Sequence, residues 1–161
     1  ASEALKLALV HRPDDSDAHA LLAVLHGLAI TAKPLRAVTL GPRLMRHRDA
    51  ARKSGAGNPR VHYLEGVSRI ERTGGRGAAE KALEDLLEAE RLFVSEQQAS
   101  NSSLEPDWGH ALNRVFIAEA YEKLEKPKLA LLWFKKAALA NPELVRAKQG
   151  YERCRIVLER K

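Results

Sequence analysis

Residues Ala111 to Leu144 read ALNRVFIAEAYEKLEKPKLALLWFKKAALANPEL, and small and large apolar residues recur in them at the spacing of two helices packed as a hairpin. Ile117, Ala118 and Tyr121 fall on one helical face. Ala130, Phe134 and Ala137, spaced by four and three, fall on the face of a second helix, and Asn141-Pro142 closes the unit. Small residues where helices cross let the backbones approach, while Tyr and Phe fill the space between crossings. The pattern points to a scaffold of helix pairs and away from a catalyst.

Working outward, the same grammar recurs. Tyr63, Leu64, Val67 and Ile70 supply an inner face, with Gly66 at a close crossing, and Ala82, Leu86 and Ala89 repeat the four-and-three spacing. Gly66 precedes Ala82 by 16 positions, whereas Ala118 precedes Ala130 by 12. The extra residues are expected in the turn Thr73-Gly74-Gly75-Arg76-Gly77, where glycine tolerates angles that helices do not. Towards the N-terminus, His19 to Ile30 reads as a helix with Leu22, Leu25 and Ala29 inward, ending at Thr31 to Pro34. Arg43 to Lys53 reads as another, with a thin stripe of Leu44, Met45, Ala50 and Ala51 to bury. The stretch QASNSSLE, 98–105, reads as a flexible loop; Asp107 is placed to cap the next helix, and Trp108 to anchor its start.

This arrangement resembles the tetratricopeptide repeat (TPR), a helix-turn-helix unit of about 34 residues. The family's usual Leu, small, Tyr, Ala, Phe, Ala, Pro series is met by Ile117, Ala118, Tyr121, Ala130, Phe134, Ala137 and Pro142. Arg114 replaces the Trp of the first helix, and Lys126-Pro127 stands where the turn is expected to carry Gly or Asn. Across most of its length the chain also resembles poorly characterised bacterial TPR-like proteins, on the segments HALLAVLHGLAI, LGPR at 40–43, NPRVHYLEGVS at 58–68, GGRG and PDWGHA at 106–111. Many such relatives are exported, so the resemblance implies a periplasmic over a cytoplasmic location.

The expected fold is therefore all-α: a right-handed solenoid of antiparallel helix pairs with about seven helices in a single domain. Its repeat units are 14–55, 59–98 and 107–142, preceded by a partial helix at 1–11 and covered by a C-terminal helix at 143–159. Prolines 13, 59 and 142 mark the ends of units. In the last helix Ala147, Tyr151, Cys154 and Val157 or Leu158 are expected inward, shielding the groove that a repeat stack leaves open at its end. Ala1, Leu5 and Ala8 before Pro13 match the second helix of a unit whose first helix is missing, so the chain is expected to be a fragment of a longer protein.

Composition agrees with this reading. The chain has 161 residues, 45% of them apolar and 5% aromatic, enough for one core and richer in helix formers than in strand formers. One cysteine, Cys154, excludes an internal disulfide framework and a multi-cysteine zinc site. No apolar run reaches the roughly 18 residues that would span a bilayer, and the N-terminus lacks the basic-then-apolar order of a signal peptide.

Net charge is +6 and unevenly placed. Between Lys33 and Arg60 eight cations face only Asp49, so that segment carries +7 and the rest of the chain sums to −1. Arg43, Arg46, Arg48, Arg52 and Lys53 make the densest part, a patch that would attract an acidic protein or an anionic surface, or else serve as a solvated helix face. Arg46, Arg48 and Arg52 are expected to lie off the apolar stripe. Nucleic acid is disfavoured because no aromatic lies in the segment to stack a base.

Other constellations carry little chemistry. His19 and His26 are seven apart on one helix, and His62 precedes Glu65 by three, but neither pair has the further ligands that a metal needs. His47 and His110 read as ordinary helix residues. Gly74-Gly75-Arg76-Gly77 lacks the Lys-Ser/Thr continuation of a phosphate loop and reads as an enlarged turn. Cys154 shares its spacing with Tyr151 and Leu158 and reads as core. Glu84-Asp85 and Glu88-Glu90 sit at offsets that do not point together on a helix. No catalytic residue, cofactor or metal is expected.

The expected function is a protein-binding scaffold whose concave groove holds a partner's peptide or helix. The positions that resemblance to the repeat assigns to the groove are Leu112, Val115, Glu119 and Glu122, suited to a mixed apolar and basic segment. Two alternatives are a basic adaptor acting through residues 33–60, and the assembly or regulatory part of a larger enzyme.

Overall fold

The computed structural model describes residues 2–72, 75–99 and 108–160. Among them run eight α-helices and one short 3-10 turn, with no strand. The helices are α1 (Ser2–His11), α2 (Ser16–Ala32), α3 (Ala37–Ser54), α4 (Pro59–Arg72), α5 (Arg76–Ala99), α6 (His110–Lys123), α7 (Pro127–Ala140) and α8 (Val145–Glu159). The 3-10 turn, Pro34–Arg36, links α2 to α3. Three hairpins, α2/α3, α4/α5 and α6/α7, are flanked by α1 and α8, and alternate helices also touch: α2 packs on α4, α4 on α6 and α6 on α8.

Local chemistry explains several boundaries. Asp15 caps α2 by accepting from the Ala18 amide at 3.0 Å, and Pro59 and Pro127 open α4 and α7, where a missing amide costs nothing. The expected start of α3 at Arg43 is six residues late. Pro42 lies inside the helix without ending it, because its ring and the Val38 carbonyl it leaves unpaired both sit on the exposed side. Helix α6 starts at His110 with Gly109 as its N-cap at φ 102°, so Trp108 does precede the helix. Asp107, most of the 98–105 loop, and Thr73 and Gly74 of the enlarged turn lie outside the described residues.

The turn between α6 and α7 differs from expectation in an informative way. The residue in the left-handed region is Glu125, at φ 58°, and not Lys126-Pro127. With Glu125 there, the Lys126 amide reaches back to the Tyr121 carbonyl at 2.9 Å and closes the end of α6. A side chain at that angle is strained, so the closure outweighs a local cost.

Two apolar clusters form the core. The larger joins Val61, Tyr63 and Ile70 of α4 to Leu86 and Phe93 of α5 and Ile117 of α6. Gly66 sits where expected: a Cβ there would fall 2.5 Å from Cγ of Leu86, so only glycine lets α4 and α5 approach so closely. The second cluster centres on Phe134, surrounded by Ala118, Ala130, Ala137, Ala147 and Cys154. Gly150 makes room for the Phe134 ring, which a Cβ would overlap, and this brings α8 onto the last hairpin. Within α8, Ala147 and Cys154 are buried and Leu158 is half-buried, while Val157 faces out.

Candidate partner-binding surfaces

The α6 positions assigned to a groove do not form one continuous surface. Val115 is fully buried beside Ala118 and Phe134, so no partner can touch it. Its predicted groove role is corrected: the helix is rotated so that this side chain enters the core. Leu112 is 37% exposed. Glu119 and Glu122 are partly exposed but engaged: Arg146 donates to both Glu119 oxygens at 2.6 and 2.7 Å, and Arg153 donates to Glu122 at 3.0 Å. Arg146 also stands 3.6 Å from Glu71 and lies over the Phe116 ring at 4.5 Å. A basic partner side chain would therefore compete with α8 for these carboxylates.

Cys154 is buried within this group, with its thiol 3.5 Å from Glu122 Oε1. Burial and the neighbouring carboxylate push the thiol up to about 11, so it stays protonated at neutral pH. It behaves as a core residue.

The basic segment also separates into parts. Arg60 is 3% exposed, pairs with Glu96 at 2.9 Å and lies over the rings of Phe93 and Trp108. Arg52 donates through two nitrogens to Glu65 at 2.5 Å, tying α3 to α4 where their backbones do not pack closely. Arg48 is half-buried, 3.8 Å from Asp49, and lines a cavity of about 170 Å³ together with Val24, Leu44, Val61 and Leu64. Arg43, Arg46 and Lys53 are exposed and have no carboxylate partner among the described residues. Thus Arg52 does structural work that its sequence position concealed, and Met45, placed on the buried stripe, is 45% exposed.

The histidines hold the largest surprise. His19 and His47 bring their Nδ1 atoms to 2.8 Å across the α2/α3 interface, and the His26 ring stands 5.6 Å from that of His47. Their residues are 28 apart in the chain, so no local spacing could reveal the contact. Among the described residues no group of three or more His, Cys, Asp or Glu is arranged to hold a metal. His62 instead meets the Ala56 carbonyl at 2.9 Å.

A second polar group missed by spacing joins α5 to α6. Arg114, in the position where the repeat usually has Trp, donates to Glu90 at 2.8 Å, and His110 stands 3.1 Å from the other Glu90 oxygen while stacking on Phe93. Burial pushes the Glu90 carboxyl up, but hydrogen bonds from His110 and Arg114 outweigh it and hold the group below its ordinary value. Both oxygens are satisfied inside the fold, and the trio serves as a polar brace in place of an indole.

No protein-family model matches the sequence, and no curated protein matches it. The architecture is that of a TPR-like helical-repeat protein. A solved structure similar to it is YrrB, described as a TPR protein with an unusual peptide-binding site. The two superpose with a TM-score of 0.61 at 19% sequence identity, over 96% of this chain and 66% of YrrB, a likeness of fold.

Proposed function

We propose that this chain is a protein-binding scaffold that takes a segment of a partner protein on its helix-pair stack and performs no catalysis. Its likeness in fold to a TPR protein with a peptide-binding site supports this reading most. The exposed Leu112 offers an apolar contact, and about two and three turns further along α6 the Arg-paired Glu119 and Glu122 offer carboxylates that can exchange an internal guanidinium for a partner's. A mixed apolar and basic peptide suits that face, because it supplies both terms without leaving a buried charge unpaired. The test is selection of peptides from a displayed random library on the parent chain, followed by affinity measurement on Leu112→Asp and Glu122→Lys variants. Selected peptides rich in Arg and apolar residues that lose at least tenfold in affinity on both variants support the proposal. Failure to select any peptide, or selected peptides indifferent to both substitutions, overturns it.

A further inference from the structure

The cleft between α1, α2 and α3 gathers charge that the fold does not use. It is open to solvent, with a volume of about 600 Å³, and Lys6, His26, Arg43, Arg46 and His47 line it, with Leu25 and Ala29 forming an apolar wall. The Lys6 ammonium is held by Glu3 at 2.6 Å, whereas Arg43 and Arg46 have no carboxylate partner among the described residues. Three cations and one carboxylate leave two positive charges over the cleft. Arg43 and Arg46 lie three residues apart on α3, both exposed, and a guanidinium pair at that spacing can match the oxygens of a phosphate.

The imidazoles add a proton-linked element. His19 Nε2 lies 2.9 Å from the Pro13 carbonyl, which can only accept, so His19 carries its proton on Nε2. Its Nδ1 is then an acceptor, and His47 Nδ1–H donates to it at 2.8 Å. Neutral His47 is left with a bare Nε2. Burial, followed by His19, His26 and Arg46, pulls His47 down to about 4, and burial with Arg43, Lys6 and Arg46 lowers His26 too. Groups facing them are thus Lys6 from α1, His19 from α2, and Arg43 and Arg46 from α3, with Glu3 reached only through Lys6. A dianion in the cleft would reverse the local field and let the histidines take up protons, adding donors to the bound oxygens.

We propose that this cleft is a recognition site for a phosphate monoester borne on a side chain of a partner protein. Charge balance favours one dianionic group over a carboxylate, and the apolar wall of Leu25 and Ala29 gives the carrier something to rest on. A protruding phosphorylated side chain enters a recess between three helices, which the plane of a bilayer does not. The inference deepens the scaffold reading and rests on it, at a surface separate from Leu112 and Glu122.

The test is an NMR titration of the 161-residue chain with N-acetyl-phosphoserine methylamide, its unphosphorylated parent, inorganic phosphate and sulfate. Saturable shifts at Lys6, His26, Arg43 and Arg46 are expected with a dissociation constant of about 1 mM or tighter, at least tenfold weaker in Arg43→Gln/Arg46→Gln. Both substituted residues are exposed, and an unchanged circular dichroism spectrum checks the fold. Saturating sulfate, which does not titrate in this range as phosphate does at about pH 6, should raise the midpoints of His26 and His47. Loss of phosphoserine binding in the double variant together with raised histidine midpoints supports the proposal. No saturable binding, equal affinity in the double variant, equal affinity for inorganic phosphate, or preference for vesicles of phosphatidic acid in phosphatidylcholine overturns it. Library peptides that depend on Leu112 and Glu122, found together with no saturable phosphoserine binding, would remove the cleft while sparing the scaffold.

Discussion

The first and last hairpins are built to the same plan and filled with different material. Between α6, α7 and α8 the space is closed by one ring and a set of methyl groups: Phe134 is fully buried, and Ala118, Ala130 and Ala137 around it are too. Between α2 and α3 part of the same space is filled by imidazoles, and only Leu44 and Ala51 of α3 are buried. Helix α3 packs on α2 and the 3-10 turn, whereas α6 packs on α4, α5, α7 and α8. The contrast separates two uses of one motif: the last hairpin gains stability from close packing, and the first leaves titratable and charged groups available.

Substitutions that probe the packed end should have the largest effect. Phe134→Ala empties the centre of its cluster and is expected to cost about 3–5 kcal/mol, whereas Leu44→Ala, which borders an existing cavity, should cost about 2 kcal/mol. Equal costs in urea unfolding would erase the comparison. Next, Ala130→Leu should destabilise by about 1–3 kcal/mol by overpacking the helix crossing, and an unchanged melting temperature would show that the contact is loose.

Acid should find the first hairpin. His47 is held at about 4 when folded against an ordinary 6.5, so between those values the unfolded chain binds more protons and stability falls as pH falls. In His47→Asn the decline from pH 6.5 to 4 should flatten, and a parent and variant with parallel stability profiles would contradict the assignment. The smallest effect concerns the turn: Glu125→Gly should relieve the left-handed strain and raise stability by about 0.5–1 kcal/mol, less the backbone freedom glycine gains when unfolded. A lower melting temperature would show that the Glu125 side chain contributes more than its angle costs.

Legibility in the sequence followed the same divide. Where burial is carried by local periodicity, as in Ala130, Phe134 and Ala137 or in Ala82, Leu86 and Ala89, spacing identified the buried face residue by residue. The chain's helical class and its pairing into hairpins were readable for that reason. Spacing failed where partners come from other helices. Arg52 meets Glu65 13 residues away, Arg114 meets Glu90 24 residues away, and His19 meets His47 28 residues away. Val115 was misassigned because a position borrowed from a repeat pattern does not fix the rotation of α6, which α7 and α8 set by closing around Phe134. Charge counting found the basic segment but could not tell Arg60, buried against Phe93 and Trp108, from Arg43 and Arg46, which face solvent.

Native-state hydrogen exchange tests the central contrast most directly, because it reads the opening free energy of each helix in the intact chain. Amides of α6 and α7 should exchange only through global unfolding, while those of α3 open through a smaller, local event, at least tenfold faster. Protection that is uniform from α2 to α8, or greater in α3 than in α6, would contradict the account.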